Sequence, residues 1–321
     1  MKAVYLEEGA VNPGDISLEP ITRLIETTVY NNTTEEDKYE HIGDAEVVFT
    51  NKVIFDEETF ERLPNLKYIG VCATGYNVID LDAARRHNVV VTNVPAYSTE
   101  SVAQLTWGFI LETASHISRH NESVHNGDWV KSETFCYWLE PVVELAGKTI
   151  GILGFGNIGK RVAEIANAFK LNVLVYTAHP EKYEGTEEAK FVQFVSQDEL
   201  FSRSDIVSLH CPMTKETEQI ICTENIAKMK DGVVIINVSR GGLVNEAELA
   251  EALKSGKVRM AAVDVVTKEP MEASNPLLTA PNMIITPHLA WASVEARKRL
   301  VEVIAGNFES YLKGEKKNVV S

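Results

Sequence analysis

The chain has 321 residues, 45% of them hydrophobic, and its 31 basic residues against 46 acidic ones give a net charge of −15. That length points to about two domains, each with enough apolar residues for a core of its own. The negative balance opposes binding to phosphate backbones or anionic membranes, no apolar run is as long as a membrane span, and the apolar run at the start is too short for a signal peptide, so a cytoplasmic protein without nucleic-acid or membrane partners is expected.

From the start to residue 97, β-like runs at Val4–Leu6, Ala45–Phe49, Leu66–Val71 and Val89–Val91 alternate with helical patches near 57–63 and 80–87. Such alternation predicts a small parallel α/β domain, whose ligands sit beyond the carboxyl ends of the strands. Two of those ends carry polar or glycine-rich loops, Thr50-Asn51-Lys52 and Cys72-Ala73-Thr74-Gly75-Tyr76-Asn77, and both are candidate substrate contacts. A helix is expected next, capped by Ser98 or Thr99 and running to about Arg119 as a crossover between domains. The irregular stretch from 126 to 141 holds Trp129, Phe135, Tyr137 and Trp138, which suit either an oligomer interface or packing within one chain.

Between Lys148 and Thr177 the pattern is strand, glycine turn, helix, strand: an apolar run to Leu153, then Gly154-Phe155-Gly156-Asn157-Ile158-Gly159, apolar positions at helical spacing to Phe169, and Val173–Tyr176. This is the form of a dinucleotide-binding βαβ unit. Gly154 permits the turn, Gly156 lets backbone approach a pyrophosphate, and Gly159 lets the helix pack close to the sheet. An acid that would accept from the ribose of NAD is expected at the second strand's end, but Thr177 stands there, followed by His179 and Lys182, which could face a 2′-phosphate; no arginine is present, so NAD and NADP both stay open.

Strands at 205–209 and 233–238, the turn His210-Cys211-Pro212 and helices near 197–203 and 224–229 continue this second domain. Asn245 and Glu248 have the spacing of a helix N-cap and its third-position acid, which leaves Arg240 at the end of a buried strand. Further strands are expected at 260–264 and 283–288, and a helix from Ser293 to Tyr311 would return to the first domain. The four cysteines, Cys72, Cys136, Cys211 and Cys222, lack metal-ligand spacing and are expected as small core residues, with no metal site.

Arg240, Glu269 and His288 each lie just beyond a predicted strand end. Hydride reduction of a ketone beside a carboxylate needs a cation on the carboxylate and an acid for the forming alkoxide, roles that arginine and histidine can fill. A nearby glutamate would favour the charged imidazole. Taken singly, the three read as an ion pair, a loop acid and a strand-end cap; behind a nucleotide fingerprint they read together.

With these segments the chain closely resembles the D-2-hydroxyacid dehydrogenase family over nearly its whole length: residues 154–159, Asn237 to Glu246, Asp264 to Pro270, and Thr286-Pro287-His288-Leu289-Ala290. The resemblance implies His288 as acid/base, Glu269 as its partner, Arg240 as the substrate clamp and Asp264 as acceptor for the nicotinamide carboxamide. His210, Cys211, Pro212, Thr217, Val238, Ser239 and Trp291 join the glycine turn, Asn157, Ile158 and Thr177 as candidate cofactor contacts. It implies two doubly wound parallel-sheet domains, a Rossmann NAD(P)-binding domain at 98–290 and a discontinuous, flavodoxin-like substrate domain from 1–97 and the helix within 291–321, with a cleft between them. A homodimer is also implied. Residues 72–77 and 135–138 look most like the family's glycerate dehydrogenase (hydroxypyruvate reductase) branch, in which Ala73, Thr74 and Gly75 would meet the substrate and Trp138 a neighbouring subunit's pocket. Lys52 is a further cation that could face the substrate, with plain surface solvation as its alternative, and Thr177 departs from the branch's usual Asp. The expected activity is NAD(P)-dependent reduction of a small 2-keto acid, hydroxypyruvate first and glyoxylate also; other 2-hydroxy acids (phosphoglycerate, D-lactate), formate, or a non-catalytic NAD(H)-sensing dimer are the alternatives.

Overall fold

The computed structural model describes residues 1–321, which form two compact units: Met1–Ser98 with Trp291–Ser321, and Thr99–Ala290. No helix is long and apolar enough to cross a membrane.

In the first unit, strands β1 (Ala3–Tyr5), β2 (Thr27–Val29), β3 (Val47–Thr50), β4 (Tyr68–Val71) and β5 (Val90–Thr92) form a parallel sheet in the order β2-β1-β3-β4-β5. This is the flavodoxin-like order. β1, β3 and β4 are buried along their whole length, as apolar runs covered on both faces must be. The helix Val294–Leu312, capped by Ser293 accepting from the Ala296 N–H, belongs to the same core. Phe308 is wholly buried there, its ring 5.8 Å from Phe49 and 5.2 Å from Tyr68.

The second unit is built on seven parallel strands: β6 (Thr149–Leu153), β7 (Asn172–Tyr176), β8 (Val192–Phe194), β9 (Ile206–Leu209), β10 (Val233–Asn237), β11 (Val258–Val263) and β12 (Met283–Ile285). Their order, β12-β11-β10-β9-β6-β7-β8, is that of a Rossmann sheet with one added edge strand. β6 pairs with both β7 and β9, so the order reverses there, and ligands of doubly wound sheets bind at such a reversal.

Three expectations need correction. The crossover helix ends at Ser115, and a second helix, Ile117–His125, begins beyond His116, which has φ +51°. A left-handed residue cannot continue a right-handed helix, and no glycine or proline marks the break. Of the four cysteines only Cys72 and Cys211 are buried; Cys222 is half-buried and Cys136 exposed, because the irregular segment around it lies on the surface. Phe135 and Trp138 are likewise 90% and 68% exposed, so their own chain does not pack them away.

Phe308 ties the returning helix to sheet residues far earlier in the chain, Phe49 and Tyr68. Phe308→Ala should therefore lower the stability of the first unit by about 3–5 kcal/mol, read as an earlier urea transition. A transition at the parent's urea concentration would mean that this helix is not part of the core.

Candidate active site

At the end of β6 the chain enters Gly154 with φ +96°, where an added Cβ would sit 2.6 Å from the Cys211 nitrogen and from the His210 carbonyl. Only glycine allows that turn. The helix Asn157–Ala168 then starts from Gly156 with no side-chain cap, so its first N–H groups keep no protein acceptor from that position. A Cβ at Gly156 would meet no protein atom within 4 Å. An uncapped helix N-terminus approached over bare backbone fits an anionic pyrophosphate. In that first turn Asn157 is exposed, Ile158 half-buried and Gly159 buried. Thr177 is half-buried just beyond β7, and the exposed His179 beyond it keeps its Nδ1 3.2 Å from Glu181 Oε1.

The segment after β9 is shaped by its own polar groups. The Ser239 hydroxyl donates to the Cys211 carbonyl at 2.7 Å, and the Thr217 hydroxyl to the Pro212 carbonyl at 2.8 Å, closing the turn. Val238 is buried and Ser239 half-buried beside it. His210 is half-buried with its ring turned inward: Nε2 lies 2.8 Å from the Ser208 hydroxyl, the buried Nδ1 has no partner, and desolvation pushes its pKa down to about 3.

Arg240, Glu269 and His288 follow β10, β11 and β12, three adjacent strands. His288 Nδ1 is 2.7 Å from Glu269 Oε2, while Glu269 Oε1 accepts from the Val266 N–H at 3.2 Å. Arg240 is exposed and its guanidinium donates to the Ser239 carbonyl at 2.8 Å; no ion pair in the chain includes it. Its loop lies against that of Glu269 closely enough that a Cβ on Gly241 would come within 1.9 Å of the Val266 carbonyl carbon. Two residues whose holding roles sequence reasoning missed fix these loops. Asn237 donates to the Arg240 carbonyl at 2.9 Å and accepts from the Ser239 N–H at 3.0 Å. Asp264, 1% exposed, accepts from the Thr286 hydroxyl at 2.5 Å and from the Leu289 and Ala290 N–H groups at 2.8 Å each, and so clamps the turn that carries His288. The signal for both was available: a short polar side chain at the end of a buried strand.

The other candidates belong to other segments of the chain. In the first unit Lys52 is exposed, Ala73 and Gly75 are half-buried, and the Thr74 hydroxyl donates to the Val94 carbonyl at 2.8 Å. Trp291, also of that unit, stands edge-on to Tyr97 with ring centres 6.4 Å apart. Trp138 lines a groove of about 830 Å³ in the second unit with Ile117, Val124, Tyr137 and Val142.

Hydride transfer to a carbonyl beside a carboxylate calls for a group that can give a proton and a cation for the carboxylate, and this dinucleotide-binding unit carries a histidine and an arginine on the loops beyond its strands. The class is therefore a nicotinamide-dependent dehydrogenase. The family model described as D-isomer specific 2-hydroxyacid dehydrogenase, NAD binding domain, matches residues 107–290. A hydroxypyruvate reductase of Blautia hydrogenotrophica is 45% identical over 100% of both chains, and a glycerate dehydrogenase of Methylorubrum extorquens is 36% identical over 99% of this chain and 98% of its own. Among solved structures, an acyclic imino acid reductase in complex with NADPH and D-Arg covers 100% of both chains at 29% identity with a TM-score of 0.85. The chain belongs to the D-isomer specific 2-hydroxyacid dehydrogenase family, and it is an oxidoreductase acting on CH–OH donors with NAD or NADP as cofactor.

The inward-turned ring of His210 makes a pH prediction. Its native pKa of about 3 lies below the ordinary 6.5, so the unfolded chain takes up a proton that the native one refuses. Its contribution is full above pH 6.5 and is lost as pH falls from there towards 3, at up to about 1.4 kcal/mol per pH unit. In urea titrations from pH 7 to 4, His210→Gln should lose stability less steeply than the parent, the carboxylates being common to both. Parallel curves would show that His210 is protonated freely in the native state.

Proposed function

We propose that the protein reduces a small 2-keto acid to the D-2-hydroxy acid, with hydroxypyruvate to D-glycerate as the main reaction and glyoxylate as a second substrate. The observation that carries this reading is the 2.7 Å contact of His288 Nδ1 with Glu269, with Arg240, which forms no ion pair, on the loop after the adjacent strand. Two relatives named for hydroxypyruvate and glycerate support the substrate.

When bound, the nicotinamide supplies the hydride to C2 of the keto acid. Glu269 holds Nδ1–H of His288, which leaves Nε2 to give its proton to the forming alkoxide. The Arg240 fork takes the substrate carboxylate, aided by the Thr74 and Gly75 N–H groups and by Lys52. We assign the first unit to the substrate and the second to the cofactor, with Asp264 completing the nicotinamide contacts. The exposed Trp138 and Phe135, with the apolar groove beside them, suit a homodimer in which Trp138 reaches the neighbouring subunit. Four free thiols fit a reducing, cytoplasmic setting.

A panel of 2-keto acids with NADH and NADPH tests the reading, and hydroxypyruvate should give the highest kcat/KM. His288→Ala should lower kcat by about two to four orders of magnitude while NADH binding, followed by fluorescence, persists. Parent-like turnover in that variant would remove His288 from the chemistry.

The missing carboxylate at Thr177 supports use of both cofactors. In Thr177→Asp the new acid would accept from the ribose 2′-hydroxyl and repel a 2′-phosphate, raising the NADH to NADPH efficiency ratio about tenfold or more. An unchanged ratio would place the ribose elsewhere.

A further inference from the structure

A buried charge that this chemistry leaves unused lies under one of the loops assigned to the substrate. Glu7 follows β1 and is 4% exposed. Its Oε2 accepts from the Thr50 hydroxyl at 2.8 Å and the Asn51 N–H at 2.9 Å, and its Oε1 from the Lys52 N–H at 2.7 Å and the Val53 N–H at 3.0 Å. A carboxylate taken out of water is costly unless its lone pairs are filled. Here three successive backbone N–H groups fill them, the concave arrangement in which a loop closes around one anion. With the N–H groups of 51, 52 and 53 all turned inward, the loop is held in one shape and the Lys52 side chain is left exposed.

The same loop is tied to its neighbours. The Cys72 N–H donates to the Thr50 carbonyl at 2.7 Å, which joins the ends of β3 and β4. The Val94 N–H donates to the Ala73 carbonyl at 2.9 Å and the Asn93 amide to the Thr74 carbonyl at 2.8 Å, which joins the ends of β4 and β5. Three strand ends of the first unit thus form one hydrogen-bonded rim, and Glu7 is its buried anchor.

We propose that Glu7 is a positioning residue for substrate binding: it holds residues 50–53 in the shape that presents Lys52 to the anionic keto acid. The inference rests on the proposed function, in which this rim faces the substrate. Holding the backbone beforehand removes the ordering cost that a mobile loop would bring to each binding event, so the effect falls on substrate affinity rather than on hydride transfer.

Glu7→Gln keeps the shape of the side chain but turns one acceptor oxygen into an NH2 group facing a donor. The Thr50 hydroxyl can rotate to accept from that NH2, and the Asn51 N–H is then left without an acceptor. With hydroxypyruvate at saturating NADH, KM for the keto acid should rise about tenfold while kcat and the KM for NADH stay within about twofold. In a Lys52→Met background the same substitution should add nothing, because the loop then has no cation to place. A rise of equal size with and without Lys52, or a loss of kcat and thermal stability with no selective change in KM, would overturn the positioning role. Should Glu7→Gln fail to fold, Thr50→Val, which removes a single donor, carries the same comparison with a smaller rise in KM. A parent that turns over no 2-keto acid overturns the proposed function and the role of Glu7 with it; an active parent whose KM is indifferent to both variants overturns the role of Glu7 alone.

Discussion

Asp264 ends β11 with a carboxylate shut away from water, and three donors of the turn after β12 close on it. An anion in that position is tolerated only while those donors stay, and the donors in turn have no other way to be satisfied, so charge and turn fix each other. His288 sits in the middle of the turn with φ +53°, a conformation that costs a non-glycine residue of order 1 kcal/mol and persists where its surroundings leave no alternative. Its own N–H donates to the Asp264 carbonyl at 2.8 Å, so backbone and side chain of one residue hold the turn on both sides of His288. Glu269 is oriented from the loop of the same strand, and the short distance to Nδ1 follows from that shared origin.

The same solution recurs at other strand ends of this chain. Parallel strands leave N–H groups unpaired at their carboxyl ends, and a loop there has no ladder to fill them. Asn237 serves the Arg240 loop, Asp264 the His288 turn, and Glu7 the loop after β3. In each case a short polar or acidic side chain at the end of a buried strand replaces the missing acceptors.

Much of this was legible in the residues. The βαβ unit was plain because periodicity, glycine spacing and strand composition agreed, and the helix cap at Asn245 was readable from its Glu248 partner. The family could be recognised from four short segments, each at the carboxyl end of a strand of the second unit. Other features left no local trace. β2 and β8 are three-residue edge strands with most side chains at least partly exposed, so neither shows the apolar run that marks the central strands. The break at His116 depends on one left-handed residue, with no glycine or proline to mark it. The exposure of Cys136 and Phe135 could not be read from composition, which gives the apolarity of a side chain but not the face it is left on. The holding role of Glu7 depends on contacts with residues 43 to 46 positions away.

The first unit is written in two pieces, and the 192 residues between them form a unit of their own. Ser101, near the start of that inserted unit, donates to the carbonyl of Ala290 at its end at 2.6 Å. The insert therefore begins and ends at one point. Once folded it behaves towards its host as a short connection, and the entropy of closing so long a loop is already met by its own collapse. On the ribosome the order of events follows from this. The inserted unit can complete its sheet as soon as it emerges, whereas the first five strands wait for Leu300, Ile304 and Phe308 before their core can close.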